Sequence, residues 1–447
     1  MNQAWIKYLP TYLRRLVHGR HNLQRVISNS GWLLADRVFR AAVGLLVAVW
    51  MARYLGPAEF GLLNYAIAFV SLFGAVATLG LDGIVVRDIA RDPDTKDAIL
   101  GTAFALKLAG AVATLLLAVV SIALLRPAQH YVWLLIAVIA AGTLFQAFDA
   151  IDFWFQSQIK SKYVAYAKSL AFSAMALVKI ILILIAAPLV AFAVASSVEL
   201  AIGAAGLVMA YRANGDQIRA WRFCASRAKA MLNDSWPLIL SGLAIYVQAR
   251  IDQVMLGEMI GDAEVGQYSV AMRLIEAFTF LPMIIYSSVA PTVTQAKLRG
   301  EPYYLERLTN VYRLMFIVFL VLALPIFFFS ESIVLLLYGQ AYQQAGLLLS
   351  LFAIRLFFTS FAVARSLFIT NESMFKHALA TAIAGSLVNV LLNYWLIPIY
   401  ASMGAIVASI VSFVVTIFVV DLFSPRARVN LAIMTKAIIS PWKLRFD

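Results

Sequence analysis

Residues 235–291 read SWPLILSGLAIYVQARIDQVMLGEMIGDAEVGQYSVAMRLIEAFTFLPMIIYSSVAP. Two long apolar segments, Ser235–Gly257 and Gly266–Thr292, flank a short acidic turn. Each is long enough to cross a bilayer core as a helix. Both nevertheless carry ionisable residues in their interiors: Arg250 and Asp252 in the first, Arg273 and Glu276 in the second. A charge at membrane depth is expensive and must face protein or water. The pair therefore reads as the wall of a polar pathway, and residues 30–91 repeat its layout.

The bulk composition sets the class. The chain has 447 residues, 63% hydrophobic and 13% charged, with mean hydropathy +0.86. That composition belongs to an integral membrane protein. The apolar segments are long and unbroken, so they predict helices rather than barrel strands. Twelve spans are expected, at roughly 27–51, 60–84, 98–125, 131–152, 163–187, 189–211, 235–257, 266–292, 313–330, 345–370, 378–397 and 401–423. The even-numbered connections and the two tails hold 24 Lys/Arg, whereas the odd-numbered connections hold only Arg53 and Arg126. This asymmetry predicts that both termini are cytoplasmic. It also accounts for the net charge of +13, so no nucleic-acid partner is expected. Residues 1–26 read as a basic cytoplasmic tail, with Leu13, Leu16 and Val17 at helical spacing for an interfacial segment. Cys224 is the single cysteine, which excludes an internal disulfide and dithiol redox chemistry.

The two halves echo each other. Ala58-Glu59-Phe60-Gly61 matches Ala263-Glu264-Val265-Gly266, Ser30 and Trp32 match Ser235 and Trp236, and Leu55-Gly56 matches Leu256-Gly257. Six spans per half give both halves the same orientation, hence a pseudo-two-fold axis along the membrane normal and a central cavity. The expected organisation is an all-α membrane protein with a basic tail at 1–26, a six-helix lobe at 27–211, a cytoplasmic linker at 212–234, a second six-helix lobe at 235–423 and a basic tail at 424–447.

Ten cations fall within the spans: Arg37, Arg40, Lys107, Lys168, Lys179, Arg250, Arg273, Arg313, Arg355 and Arg365. Acids at similar depth include Asp36, Asp82, Asp149, Asp152, Glu199, Asp252, Glu276 and Asp421. Lys168, Arg313, Asp82, Asp152 and Asp421 sit near span ends, from which side chains reach water. Asp36 with Arg40 and Arg273 with Glu276 share helix faces and fit structural ion pairs, locking helices as well as they would bind substrate. The cations of the first, seventh, eighth and tenth spans are all arginines, whose planar fork grips phosphate or carboxylate oxygens bidentately. Arg37, Arg40, Arg250, Arg273 and Arg355 facing one cavity would suit a diphosphate. Glu199 and Asp252 are the candidate coupling-ion groups. Asn389 and Asn393 share a face of the eleventh span and read as inter-helix glue.

No phosphate-binding loop, HExxH, serine elbow or Cys/His cluster is present, so no catalytic residue, metal or cofactor is expected. The short non-cytoplasmic connections leave no room for the acid or histidine site of a membrane glycosyl-transferring enzyme. The chain resembles the polysaccharide-type flippases of the multidrug/oligosaccharidyl-lipid/polysaccharide exporter superfamily. The resemblance rests on Ala52-Arg53-Tyr54-Leu55-Gly56-Pro57 with Phe60-Gly61, Leu79-Gly80-Leu81-Asp82, Asp152-Phe153-Trp154-Phe155-Gln156, Arg250-Ile251-Asp252-Gln253, Leu337-Tyr338-Gly339, and Asn389 to Asn393 with Ile397-Pro398. It implies translocation of undecaprenyl-diphosphate-linked oligosaccharide to the outer leaflet of a bacterial inner membrane by alternating access, as in O-antigen biosynthesis. It also implies membrane lipid, a glycan polymerase and assembly proteins as partners. Arg37 and Arg273-Leu274-Ile275-Glu276 stand where lipid II flippase relatives place cavity arginines. The loop Tyr400-Ala401-Ser402-Met403-Gly404 lacks the glycine expected after its tyrosine. A multidrug or organic-cation antiporter of the same fold is the alternative, and it requires an acid-dominated cavity.

Overall fold

The computed structural model describes the backbone of residues 21–443 and the side chains of residues 38–443. The apolar residues at 13, 16 and 17, and the side chains of Asp36 and Arg37, lie outside the described residues. The N-terminal half comprises α1 (His21–Leu72), α2 (Gly74–Thr78), α3 (Asp82–Arg91), α4 (Lys96–Leu125), α5 (His130–Gly142), α6 (Asp149–Ser157), α7 (Lys162–Leu184) and α8 (Leu189–Ala213). The C-terminal half comprises α9 (Ala225–Met259), α10 (Asp262–Glu276), α11 (Phe280–Leu298), α12 (Glu301–Tyr338), α13 (Gln344–Asn371), α14 (Phe375–Val414) and α15 (Pro425–Ile439). No strand occurs among the described residues.

Nine helical stretches among the described residues are long and apolar enough to cross a membrane. Two of them each contain a reversal. Gly56 (φ 71°, ψ 173°) interrupts α1 ahead of Pro57. Ala52 on one side and Phe60 on the other both meet Tyr342, the first through a 2.9 Å hydrogen bond to its carbonyl, the second edge-on. In α14 the break falls at Ala401 (φ 48°, ψ −130°), and Gly404 packs back on the carbonyl of Leu396. Dividing α1 and α14 there, and adding the more polar α9, yields the twelve expected spans.

Gly56 finds its counterpart in Gly261 (φ 132°), which opens α10, and not in Gly257. Only glycine adopts such backbone readily. The repeat therefore runs Gly56 to Gly61 against Gly261 to Gly266. Its two copies touch. A Cβ on Gly61 would lie 1.7 Å from the carbonyl oxygen of Asp262, and one on Gly266 would lie 2.1 Å from that of Pro57. The reciprocity places a two-fold crossing where the halves meet.

Three apolar cores follow. One spans both halves, with Phe60, Tyr65, Ile136, Phe192, Tyr268, Phe352 and Ile397 among its residues. The second gathers Leu81, Phe155 and Tyr211 of the N-terminal half with Met231 of α9, and the third, around Tyr304, Phe361 and Met434, belongs to the C-terminal half. The shared core lies at the ends of the spans that carry Arg53 and Arg126, and the separate cores at the opposite, Lys/Arg-rich ends. The halves share one core at the first end and keep mostly separate cores at the second, where the start of α9 bridges them through Met231 and the Arg87–Asp234 pair. Span eight shows the parting locally: α10 ends at Glu276, and α11 resumes at Phe280 with Ser287, Ser288, Thr292 and Gln295 exposed.

Residues 424–443 are not a free tail. Ser424 caps α15, Pro425 occupies its first position, and Ala427, Ile433, Met434 and Ala437 are buried. The helix docks on α12 through Tyr312 with Asn430 (3.0 Å) and Arg313 with the carbonyl of Lys443 (2.9 Å). Glu372 clasps the same end, 3.0 Å from Lys297 and 2.7 Å from Arg426. Burial opposes its ionisation, but the two cations outweigh burial and hold its carboxyl below the usual glutamate range. The linker likewise packs on the N-terminal half: Arg222 N–H donates to Asp97 O, and Cys224 N–H to Thr102 Oγ1.

Ala401 holds a conformation that favours glycine, at the position where the sequence pattern leads one to expect it. Relieving that strain should outweigh the added freedom of the unfolded chain by about 0.5–1 kcal/mol. Ala401→Gly should therefore raise the thermal midpoint in detergent by a few degrees. A lowered midpoint would refute the strain.

Candidate transport site

Asp252 is the most buried carboxylate of α9, 2% exposed. Its Oδ1 accepts from Asn389 Nδ2 (3.1 Å) and Asn393 Nδ2 (2.7 Å). Its Oδ2 accepts from the hydroxyls of Tyr268 (2.6 Å) and Ser409 (2.5 Å). No cationic side chain stands within 4.0 Å of it among the described residues. The geometry explains the asparagine spacing. Residues 389 and 393 are one turn apart on the limb of α14 before Ala401, and Ser409 lies on the limb after it. Both limbs thus close on α9.

The asparagines do more than join helices. With their amide nitrogens spent on Asp252, Asn389 Oδ1 and Asn393 Oδ1 are buried without a partner. Buried oxygens left unpaired cost roughly 1–3 kcal/mol each. Two carboxylate oxygens, two amides facing them through nitrogen and two hydroxyls gather around one formal negative charge; with the amides turned over, the surrounding atoms would all be oxygens. Such donors suit a small hard cation, and the carboxylate alone suits a proton.

The arginines divide into three places. Arg250 reaches Glu276 at 3.3 Å and lies against the sulfur of Met272. Arg273 donates from Nε (3.2 Å) and Nη2 (2.8 Å) to Asn64 Oδ1 in the other half, and its guanidinium lies over the Phe60 ring. The expected Arg273–Glu276 pair is thus exchanged for Arg250–Glu276, because the face of α10 carrying Arg273 is turned toward α1. Arg250, Arg273 and Glu276 assemble just above the break in span eight. Arg355 lies elsewhere in the C-terminal half, between the rings of Phe352 and Phe413 at 5.8 and 5.5 Å.

Arg40 does not join them. It lies over Phe172 and lines a recess inside the N-terminal half with Gln146, Asp149, Lys168 and Glu199. Charges there are matched: Lys168 with Asp149 (3.0 Å) and Asp152 (2.8 Å), and Glu199 with Lys179 (2.9 Å). Asp421, placed near a span end by the sequence, is 1% exposed and held by Arg365 and His377. Asn64, Tyr65 and Glu258 carried no sequence signal of their own. Arg53 and Arg126 did, as the two cations outside the positive-inside pattern.

The family model for polysaccharide biosynthesis proteins matches residues 26–297. The chain belongs to that family. A second model, MatE, matches residues 237–395. No curated protein matches. Among solved structures, the lipid II flippase MurJ in an inward closed conformation is similar over 92% of this chain and 91% of its own, with a TM-score of 0.71 and 14% identity. An inward-facing multidrug resistance MATE family transporter of the MOP superfamily aligns over 89% and 96%, with a TM-score of 0.67 and 16% identity. A eukaryotic MATE transporter, AtDTX14, aligns over 93% and 98%, with a TM-score of 0.59 and 10% identity. At these identities the likeness establishes the fold.

Occupation of the Asp252 cluster should stabilise the folded protein by mass action. Sodium titrated against choline, or protons, should raise the thermal midpoint of the wild type, and Asp252→Asn should abolish the rise. An equal rise in both proteins, or none in either, would leave Asp252 a structural hub.

Proposed function

We propose that this polysaccharide biosynthesis protein is a flippase that carries undecaprenyl-diphosphate-linked oligosaccharide from the cytoplasmic to the outer leaflet of a bacterial inner membrane, both its termini being cytoplasmic. The observation that carries the reading is the arginine cluster at the inter-half seam. Arg250 and Arg273 stand together against one acid, Glu276, where the joined halves begin to part. A cavity entered from the parted side meets these guanidiniums first at its closed end. Their forked donors suit diphosphate oxygens. Arg273 is held by a neutral amide oxygen, so an incoming phosphate need not displace a carboxylate from it.

The lipid tail stays in the bilayer beside span eight while sugar and diphosphate enter between the halves. Joining at the parted end and separation at the joined end then presents the headgroup to the outer leaflet. Arg355 contributes further positive charge, whereas Arg40 serves the interior of its own half. Coupling to a cation or proton runs through Asp252 rather than Glu199, whose charge Lys179 already matches. A glycan polymerase and assembly proteins would take up the product.

The MatE match and the MATE fold favour a second reading, export of an organic cation. That cargo would be repelled by two adjacent arginines. In proteoliposomes, flipping of the lipid-linked oligosaccharide should fall at least tenfold in Arg273→Ala and Arg250→Ala. Export of an organic cation with no oligosaccharide flipping would replace the flippase by the exporter.

A further inference from the structure

Arg53 and Arg126 are the two cations that break the positive-inside pattern, and both cross the seam between the halves. Arg53 Nη2 donates to the carbonyl of Leu336 at 2.6 Å. Arg126 is 8% exposed and gathers three groups of the C-terminal half. Nε donates to Glu258 (2.9 Å), Nη2 to the carbonyl of Gly257 (2.8 Å), and Nη1 and Nη2 to Asp262 (3.3 Å each). Its guanidinium covers the Tyr65 ring at 4.3 Å, and the Tyr65 hydroxyl itself donates to Glu258. Gly257 leaves the space: a Cβ there would meet Tyr65 at 2.5 Å and Arg126 Nη2 at 3.3 Å.

We propose that Arg126, seconded by Arg53, is the latch of the outer seam, and that its hold on Glu258 and Asp262 must break for the outer side to open. The reading rests on the alternating-access function above. Three features support it. The latch surrounds the Gly61–Gly266 crossing, so its bonds share the contact that any separation must break. The bonds run between halves: Arg126 has Gln129 as its own-half side-chain partner, at 3.2 Å. Among the described residues, the ion pairs across the opposite end are more solvated, Arg227 with Asp92 at 3.5 Å being one. There the Arg87–Asp234 pair at 2.7 Å is exposed on both sides, 54% and 46%. A buried bidentate arginine holds an interface more firmly than a solvated pair does. Opening the seam sets two carboxylates and a guanidinium free to be hydrated, which offsets part of the loss and keeps the closure reversible.

The test uses the full chain with Cys224→Ser and spin labels on introduced cysteine pairs. Ala128→Cys with Ile260→Cys spans the outer seam, and Asp94→Cys with Arg299→Cys spans the cytoplasmic side. All four positions are exposed. Arg126→Gln should raise the ratio of open to closed outer distances at least tenfold while the cytoplasmic pair shortens. Glu258→Gln with Asp262→Asn removes the same clasp from the other half and should give the same shift. Unchanged distributions, or lengthening of both pairs together, would overturn the latch. The distances need no substrate, so failure of the flippase reading would leave this result standing.

Discussion

An ionised side chain in hydrocarbon costs several kcal/mol unless it is matched or hydrated, and that cost organises this protein. Most of its intramembrane charges are accounted for within one half: Lys168 between Asp149 and Asp152, Lys179 on Glu199, Arg365 on Asp421. These pairs fix helices to their neighbours and make each half a body. The charges left over lie in the C-terminal half, with Arg273 reaching across the seam. Asp252 has four neutral donors and, among the described residues, no cation within 4.0 Å, Arg273 has an amide oxygen from the opposite half, and Arg355 has aromatic faces. The residues available for work are those the fold does not neutralise.

The same economy shapes the closure. Gly61 and Gly266 let two backbones touch, and one apolar core then covers both halves at that end. At the other end the two cores are separate, with Met231 of α9 as the bridge into the N-terminal one. The break between Glu276 and Phe280 lets one helix belong to both regimes, its upper part clamped by Asn64 and its lower part turned away.

Much of this was legible in the sequence. Span length gave twelve helices, because hydrocarbon thickness acts on composition alone. The repeat was visible, but the pairing of Gly56 with Gly257 was off by four residues; backbone dihedrals, which short identities do not report, select Gly261. Asp252 stood out as a carboxylate at depth. Its partners did not, since Asn389, Asn393 and Ser409 meet it only after α14 folds back at Ala401. The arginines could be named and not grouped: spacing put Arg273 with Glu276 and left Arg40 facing a common cavity, while helix rotation against the other half gave Glu276 to Arg250 and turned Arg40 inward. The odd placement of Arg126 was countable, but its meaning required three acceptors that lie more than a hundred residues away.

The central claim is that the seam recognises a diphosphate. Equilibrium binding of undecaprenyl diphosphate to the purified protein, in competition with inorganic diphosphate and with an organic cation, tests it most directly. The account predicts binding that inorganic diphosphate displaces, that the cation leaves unchanged, and that weakens at least tenfold in Arg273→Ala. Binding displaced by the cation and indifferent to diphosphate would contradict it.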